Sequence, residues 1–257
     1  MLHLLGPISF ASRSDQGLVR RNNEDAVFVT RLKRGYCLAL VADGVGGQEA
    51  GEVASQTVRD VFARFVDQKY FRDALADSII AEKSLAQSTL ASHRTIKELA
   101  AARPDARGMA TTLTCCLVTP TLASFVQVGD SRLYHFNGTS LIQRTDDQTI
   151  AAELVEAGRL RPQDVSTHPD RNRLSQALGV EALGRPLRPA IGSFEWNGGD
   201  TLLLCSDGLS DMIQEGVISS VVSSSDNVEI IADRLIQIAL EAGGKDNVSV
   251  VVVRRRR

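Results

Sequence analysis

The spacing of hydrophobic positions changes several times along the chain, and each change marks a predicted element. Short apolar runs at residues 26–30 and 36–42 are typical of strands. From residue 49 onward, apolar side chains recur at three- and four-residue steps, which predicts an amphipathic helix. A second helix, rich in Ala, Leu, Glu, Lys and Gln, is expected from about residue 71 to residue 102, and Pro104 ends it.

The remainder of the chain predicts mostly strands. Residues 110–142 are rich in Thr, Val, Leu and aromatic residues, and turn residues interrupt them, which indicates an antiparallel meander with a hairpin turn at Asn137-Gly138. The same periodicities predict a short helix at 149–158, strands at 190–195 and 201–205, a helix at 230–242 and a buried strand at 248–253. Elements grouped in this way predict an α+β fold with antiparallel sheets.

We find no linker and no internal repeat, so we expect one domain over residues 1–257. Residues 159–189 are rich in Arg, Pro and Gly without clear periodicity, and we interpret them as a surface excursion of that domain. Arginines in this excursion either contact a phosphorylated or acidic partner or form a solvated basic loop. They are Arg159, Arg161, Arg171 and Arg173. Low complexity is confined to the arginine tail at 254–257.

Charge and composition exclude several classes of function. The 29 basic and 31 acidic residues give a formal net charge of −2, which argues against a dedicated nucleic-acid-binding protein. No apolar run reaches the length of a membrane-spanning helix, and the first ten residues lack a basic start and a long apolar stretch. We therefore expect a cytoplasmic protein without a targeting segment.

Cysteine and histidine are not spaced as metal ligands. The four cysteines lack CxxC spacing, and three lie in strand-like runs, which favours buried free thiols in a reducing compartment. The four histidines are scattered without the paired spacing of a zinc site. A metal bound by this chain would therefore be held by oxygen, as Mg²⁺ and Mn²⁺ prefer.

Aspartates recur beside glycine at the ends of apolar runs, at Asp43, Asp130 and Asp207, and Asp246 lies just before the last strand. Asp-Gly is also the ordinary composition of a tight turn, so each position alone is ambiguous. The Gly-Val-Gly-Gly that follows Asp43 provides more backbone freedom than a hairpin needs. Carboxylates that converge from strand ends repel one another unless a cation lies between them, and this favours a site for several metal ions.

Eight short segments, spread over nearly the whole chain, carry a recognisable combination of residues. They are GLVRRNNED (17–25), VADGVGG (41–47), GMATT (108–112), VGDSRLY (128–134), TDD (145–147), ALG (177–179), SDGL (206–209) and DNVS (246–249). In this order and spacing they resemble the protein phosphatase 2C family, the metal-dependent serine/threonine phosphatases, in its compact bacterial form. The resemblance implies two antiparallel sheets packed as a central β-sandwich flanked by pairs of helices, in four layers α-β-β-α. It also implies a metal cleft at one end of the sandwich and a flap-like segment at about 148–189.

The resemblance also implies the metal ligands. Asp43 would bridge two Mn²⁺ or Mg²⁺ ions, and the carbonyl group of Gly44 would bind one of them. Asp207 and Asp246 would bind the other ion. Asp130, together with Asp207, matches a weaker third metal position described in bacterial members.

Residues around these ligands receive roles from the same resemblance. Glu24 and Asp25 would act on the ions through bound water, and Asn247 would belong to this outer shell. Arg20 matches the phosphate-binding arginine of the family, and its guanidinium group can bind two phosphate oxygens at once. The expected catalytic residues are Arg20, Asp43 and Asp207.

The reaction implied is hydrolysis of phosphoserine and phosphothreonine in proteins by a water or hydroxide that bridges the two ions. Two ions about 3.5–4 Å apart lower the pKa of that water and bind the attacking and departing oxygens. Some eukaryotic members carry a histidine directly after the Asp-Gly pair, where this chain has Val45, so the general acid is unassigned. His168, in the flap-like segment, is interpreted as structural.

Two other functions are considered. A haloacid-dehalogenase-type phosphatase would need an aspartate nucleophile at position 41, which is a valine. A catalytically weak phosphoprotein-binding regulatory module of the same fold is the alternative, although the presence of Arg20 and of the predicted metal ligands favours an enzyme. The expected partners are phosphorylated proteins, including a bacterial serine/threonine kinase and its targets. We expect a monomer that binds neither nucleic acid nor membrane.

Overall fold

The computed structural model describes residues 8–33, 35–46, 50–66, 78–103 and 106–256. Eleven strands lie in these ranges: β1 (Ile8–Asp15), β2 (Asp25–Lys33), β3 (Tyr36–Val45), β4 (Ala110–Thr111), β5 (Leu113–Val118), β6 (Leu122–Val128), β7 (Arg132–Phe136), β8 (Leu141–Gln143), β9 (Ala190–Glu195), β10 (Thr201–Cys205) and β11 (Val248–Arg255). Six α-helices lie there as well: α1 (Ala50–Val66), α2 (Ser78–Ala102), α3 (Ile150–Glu156), α4 (Asp207–Ser210), α5 (Glu215–Ser223) and α6 (Val228–Glu241).

The strands form two antiparallel sheets that pack face to face. One sheet has the order β1-β11-β10-β7-β8, and the other has the order β2-β3-β5-β6-β9, with β4 paired to β3. Strand β11 of the first sheet packs on β2 and β3 of the second. Helices α1 and α2 cover the outer face of the second sheet, and α5 and α6 cover the outer face of the first. The predicted α+β sandwich in four layers is therefore confirmed.

The long apolar run of β3 is buried on both faces of its sheet. Cys37, Ala39 and Val41 point into the layer between the two sheets, whereas the alternate residues Leu38 and Leu40 pack towards α1 and α2. Side chains alternate between the faces of a strand, so a strand covered on both sides is apolar at most of its positions. Strand β11 follows the same rule, because its valines alternate between the inner layer and α6.

All four cysteines are free and buried in these layers, as predicted. None of the helices in the described ranges combines the length and apolar character that crossing a bilayer requires.

Several elements differ from the sequence predictions. Strand β1 was not predicted because polar residues interrupt its short apolar pattern, yet it pairs with β11 along its whole length. Helix α5 was also missed. The predicted meander is divided between the sheets, because the chain leaves β6 in one sheet, turns at Gly129 and Asp130, and enters β7 in the other. The first turns of the predicted second helix, at 71–77, lie outside the described residues.

The first two residues of the arginine tail are part of a regular element and not of a separate low-complexity segment. Arg254 and Arg255 belong to β11. The guanidinium group of Arg254 forms an ion pair with Asp226, and that of Arg255 donates hydrogen bonds to the carbonyl oxygens of Pro120 and Trp196. These partners extend the last strand two residues beyond its predicted end.

Residues 148–189 form an irregular excursion that includes α3 and is fastened to the body at several points. The amide of Asn172 donates to Asp211 Oδ2 at 2.6 Å. The ammonium group of Lys97, on α2, lies 2.9 Å from Glu181 Oε1. Arg161 pairs with Asp164, three residues away, at the surface, which favours the solvated-loop interpretation for this arginine.

Candidate metal centre

Two aspartates lie directly opposite each other where β2 and β3 meet the end of the sandwich. Asp25 begins β2, and it is the antiparallel partner of Asp43 on β3. Asp25 is buried and Asp43 is half-buried. Like charges in opposed positions of a sheet are destabilising, so this pair needs compensation.

Two further aspartates approach from the other sheet. Asp207 follows β10 and begins α4, and Asp246 lies two residues before β11. A Cβ atom at Gly208 would lie only 1.9 Å from the carbonyl oxygen of Asn247, so this close approach of the two segments requires glycine. The adjacent strands β10 and β11 thus place both carboxyl groups at the same end of the sandwich as the first pair.

Burial and, after it, mutual repulsion raise the pKa values of these carboxyl groups. Burial raises the pKa of Asp43 well above its usual range, and repulsion from Asp25, Asp207 and Asp130 together with a hydrogen bond to Asp207 raises it further. Burial, followed by repulsion from Asp246, raises the pKa of Asp207 to about 6. Burial is also the main reason that the pKa of Asp25 rises to about 7 and that of Asp130 rises well above its usual range.

These residues fit a divalent cation by their donor chemistry. Asp25 Oδ1 and Asp207 Oδ1 are buried without a hydrogen-bond partner, and an unsatisfied buried acceptor is costly. Mg²⁺ and Mn²⁺ bind carboxylate oxygens and would offset the repulsion. Within the described ranges, no three acidic, His or Cys side chains already form a ligand set. Asp43 forms a hydrogen bond with Asp207, and Asp246 pairs with an arginine.

That arginine is Arg20, whose side chain is about half exposed. Its Nη2 atom lies 2.5 Å from Asp246 Oδ2. The hydrogen bond to Asp246 raises the pKa of Arg20, and the charges of Asp246, Asp43 and Glu24 raise it further. The predicted phosphate-binding arginine therefore lies beside the carboxyl cluster.

The loop that carries Arg20 is held by one buried side chain. Asn247 Oδ1 accepts a hydrogen bond from the Glu24 backbone N–H at 2.9 Å. Its Nδ2 atom donates to the carbonyl oxygens of Gln16 and Asn22, both at 2.8 Å. Asn247 thus holds both ends of the loop, and its outer-shell role stays a prediction.

Glycine completes the attachment of this loop. Gly17 has a φ of +76°, and a Cβ atom there would lie 2.2 Å from the carbonyl oxygen of Asp246. Gly44 is the second close approach, because a Cβ atom there would lie 2.3 Å from the carbonyl oxygen of Gly51 in α1. The backbone freedom expected from the glycines after Asp43 is used at Gly44, where the chain passes close to α1.

Sequence reasoning missed the hydroxyl groups that hold the aspartates. The Asp43 N–H donates to Thr112 Oγ1 at 3.0 Å, and Thr112 Oγ1 lies 2.7 Å from Ser131 Oγ. Thr111 Oγ1 donates to the Asp43 carbonyl oxygen at 2.8 Å, and Ser206 Oγ donates to Asp25 Oδ2 at 2.9 Å. The available signal was a Ser or Thr inside an apolar run or directly beside a predicted carboxyl.

The structure brings together every predicted site residue. The set consists of Arg20, Glu24, Asp25, Asp43, Gly44, Asp130, Asp207, Asp246 and Asn247. Val45, at the position where some family members carry histidine, is exposed. His168 Nδ1 accepts a hydrogen bond from the Asp170 N–H, which agrees with a structural role.

The metal-free protein is expected to lose stability as pH rises. The pKa values of about 7 for Asp25 and about 6 for Asp207 lie above those of the unfolded chain. Between these values the folded state therefore holds protons that the unfolded chain has released. The contribution of these protons to folding stability is complete below about pH 4 and is lost as pH rises through 6–7. We expect the Tm measured in EDTA to fall between pH 5 and pH 8.

Asp25→Asn serves as the matched variant, since it removes one of these titrations. Its Tm in EDTA is expected to depend less on pH than that of the unsubstituted protein. An equal slope in both proteins would show that the cluster does not control this stability.

The comparisons with known proteins agree with this geometry. A family profile described as protein phosphatase 2C matches residues 18–237. Serine/threonine protein phosphatase PstP of Mycobacterium tuberculosis is 39% identical over 245 residues, which cover 95% of this chain but only 44% of PstP. Serine/threonine phosphatase stp of Listeria monocytogenes is 33% identical over 245 residues, which cover 95% of this chain and 94% of that protein.

Solved structures show the same relationship. The crystal structure of M. tuberculosis PstP/Ppp has a TM-score of 0.84 and 38% identity, covering 98% of this chain and 100% of that chain. The catalytic domain of PstP, solved in complex with 2 manganese ions, has a TM-score of 0.83 and 36% identity, covering 98% of this chain and 99% of that chain. Since the profile, the relatives and the sandwich with its carboxyl cluster agree, the chain belongs to the protein phosphatase 2C family.

Proposed function

We propose that this protein is a metal-dependent protein serine/threonine phosphatase. The observation that carries the proposal is the meeting of the carboxyl groups of Asp25, Asp43, Asp207 and Asp246 beside Arg20, with two buried carboxylate oxygens left without partners. Relatives named serine/threonine phosphatases over nearly their full length support it.

The metal ions would be held by Asp43, Gly44, Asp207 and Asp246, with Asp25 close to them and Asp130 beside Asp207. Manganese in the related PstP catalytic domain supports Mn²⁺, and Mg²⁺ suits the same oxygen donors. Two bound ions would lower the pKa of a water molecule and offset the negative charge of the phosphoryl oxygens. Hydroxyl groups from Thr111 and Thr112 hold the Asp43 backbone in place.

Arg20 would bind the phosphate group of the substrate. Only its Nη2 atom bonds to Asp246, so the other N–H groups of the guanidinium remain available to phosphate oxygens. Asn247 keeps the loop, and with it Arg20, beside the carboxyl cluster. Glu24, whose pKa is raised by burial, lies where it could bind water next to the metal ligands.

A cysteine-based phosphatase mechanism does not fit this chain. All four cysteines are buried in the core layers. Burial raises the pKa of Cys37 and Cys205 to about 12, so neither thiol ionises at neutral pH. Water activated at the carboxyl cluster is therefore the proposed nucleophile.

The finer assignments belong to the same proposal. Substrates would be proteins phosphorylated by a bacterial serine/threonine kinase, including the kinase itself. This protein would act on them as a monomer in the cytoplasm. Relatives from bacteria support this setting, and buried free thiols suit a reducing compartment. The chain would act as a single domain, in which residues 148–189 serve as a flap beside the cleft.

Phosphate release from matched phosphopeptides tests the proposal. With Mn²⁺ present, we expect turnover of phosphothreonine and phosphoserine peptides. We expect the same peptide with phosphotyrosine to be hydrolysed at least tenfold more slowly. Binding of these peptides without release of phosphate would instead identify a regulatory phosphoprotein-binding module.

A further inference from the structure

A cavity of about 630 Å³ lies beside the carboxyl cluster. Arg20, Glu24 and Asn247 line it, and these residues also border the candidate metal centre. Its volume is in the range of pockets that hold whole small-molecule ligands, whereas one phosphate group fills only part of such a space. The cavity is therefore large enough for a neighbouring part of the substrate.

Arginines are the most frequent charged residues in the described wall of this cavity. Arg20, Arg21 and Arg103 line it against a single described carboxyl, that of Glu24. Arg21 is exposed, and within the described part of the chain it makes no hydrogen bond or ion pair. Its guanidinium N–H groups can donate charge-assisted hydrogen bonds to an anionic partner.

Three small apolar side chains form another part of the wall. Ala50 and Val53 come from α1, and Ala106 comes from the segment after α2. Small apolar side chains of this kind pack against the methylene groups of a longer side chain. The combination of an apolar wall with guanidinium groups matches a side chain that has a short aliphatic stem and an anionic end.

We propose that this cavity is a subsite that binds an anionic side chain next to the phosphorylated residue of the substrate. This inference rests on the proposed phosphatase function. In an extended peptide each residue advances the chain by about 3.3 Å, so a residue within three positions of the phosphorylated one can reach a cavity that shares Arg20 with the cleft. The anionic group is a carboxylate or the phosphate of a second phosphorylated residue.

The test compares phosphothreonine peptides that differ only in having Glu or Gln at one of the three positions on either side. With Mn²⁺ present, we expect kcat/KM to be about fivefold higher for the Glu peptide at one position at least, as for a partly exposed charge pair. A third peptide, with phosphoserine at that position, distinguishes a carboxylate subsite from one for a second phosphate. Hydrolysis of p-nitrophenyl phosphate by the unsubstituted protein is measured in parallel.

Two variants of Arg21 assign the preference to the cavity. Arg21→Gln is expected to bring the ratio of kcat/KM values for the Glu and Gln peptides close to one. Arg21→Glu is expected to invert the preference and to favour a Lys peptide, which partial unfolding would not do. Arg107→Gln changes an exposed arginine that is not among the cavity residues, and we expect it to keep the ratio.

The subsite proposal is wrong if kcat/KM is equal for the Glu and Gln peptides at all six positions. Normal hydrolysis of p-nitrophenyl phosphate in the same experiment would still support the phosphatase function. A preference that persists in Arg21→Glu would overturn the subsite proposal as well. If the unsubstituted protein hydrolysed no phosphate ester with Mn²⁺, the proposed function would fail and the subsite would fall with it.

Discussion

Asp43→Asn is expected to lower kcat/KM for phosphopeptides by about a thousandfold or more. Outer partners of a metal site typically contribute about 10–100-fold, and a ligand at its centre contributes more. Asp43 faces Asp25, Asp207 and Asp130, so it is the carboxyl group that the others surround. An amide cannot supply the anionic oxygens that the proposed ions need. Phosphate release with saturating Mn²⁺ measures the loss.

The same variant is expected to be more stable than the unsubstituted protein when no metal is present. Asparagine removes a buried carboxyl group and the repulsion that it suffers, so the Tm in EDTA at pH 8 rises. This separates loss of function from loss of folding. Asp60→Asn, at an exposed position on α1, is the control and is expected to change neither quantity. Appreciable turnover by a folded Asp43→Asn protein would contradict the two-metal assignment.

Chelation is expected to abolish activity completely, and added Mn²⁺ is expected to restore it. The orphaned oxygens of Asp25 and Asp207 and the raised pKa values around them describe a cluster that lacks its counter-charge. Without that charge, neither water activation nor stabilisation of the phosphoryl oxygens is available.

Titration with Mn²⁺ after EDTA treatment and gel filtration measures the recovery of activity. A rise in Tm over the same concentrations links recovery to binding at a folded site. Full activity in excess EDTA would exclude metal dependence.

Much of the fold is predictable because its inner strands are buried on both faces. Long apolar runs, as in β10 and β11, contain few polar positions that could obscure them, and the starts of these strands were predicted to the residue. Strand β1 is different, since it lies at the edge of its sheet and carries Ser, Arg and Asp. Periodicity also tells which residues share a face, but not which sheet a strand joins. For this reason the division of the meander at Asp130 was not predicted.

Less of the candidate site than of the fold could be predicted from the sequence. Residue chemistry alone indicated carboxyl groups at strand ends, and the family resemblance, now confirmed, supplied their roles. The individual roles stay predictions. Neither source indicated the hydroxyl groups of Thr112 and Ser131 around Asp43, because a buried Thr in a strand is ordinary. The Arg20–Asp246 pair joins residues 226 positions apart, and no local pattern encodes such a contact.

The position of β11 has a consequence for how the protein is made. This strand lies between β1 and β10, although it is the last strand of the described chain, and Asp246 and Asn247 directly precede it. Synthesis proceeds from the amino end, so a growing chain lacks an inner strand of its sheet, one carboxyl of the cluster and the side chain that holds the Arg20 loop. Long-range pairing of this kind forms late in folding. The proposed phosphatase activity would therefore require that β11 has been inserted into its sheet.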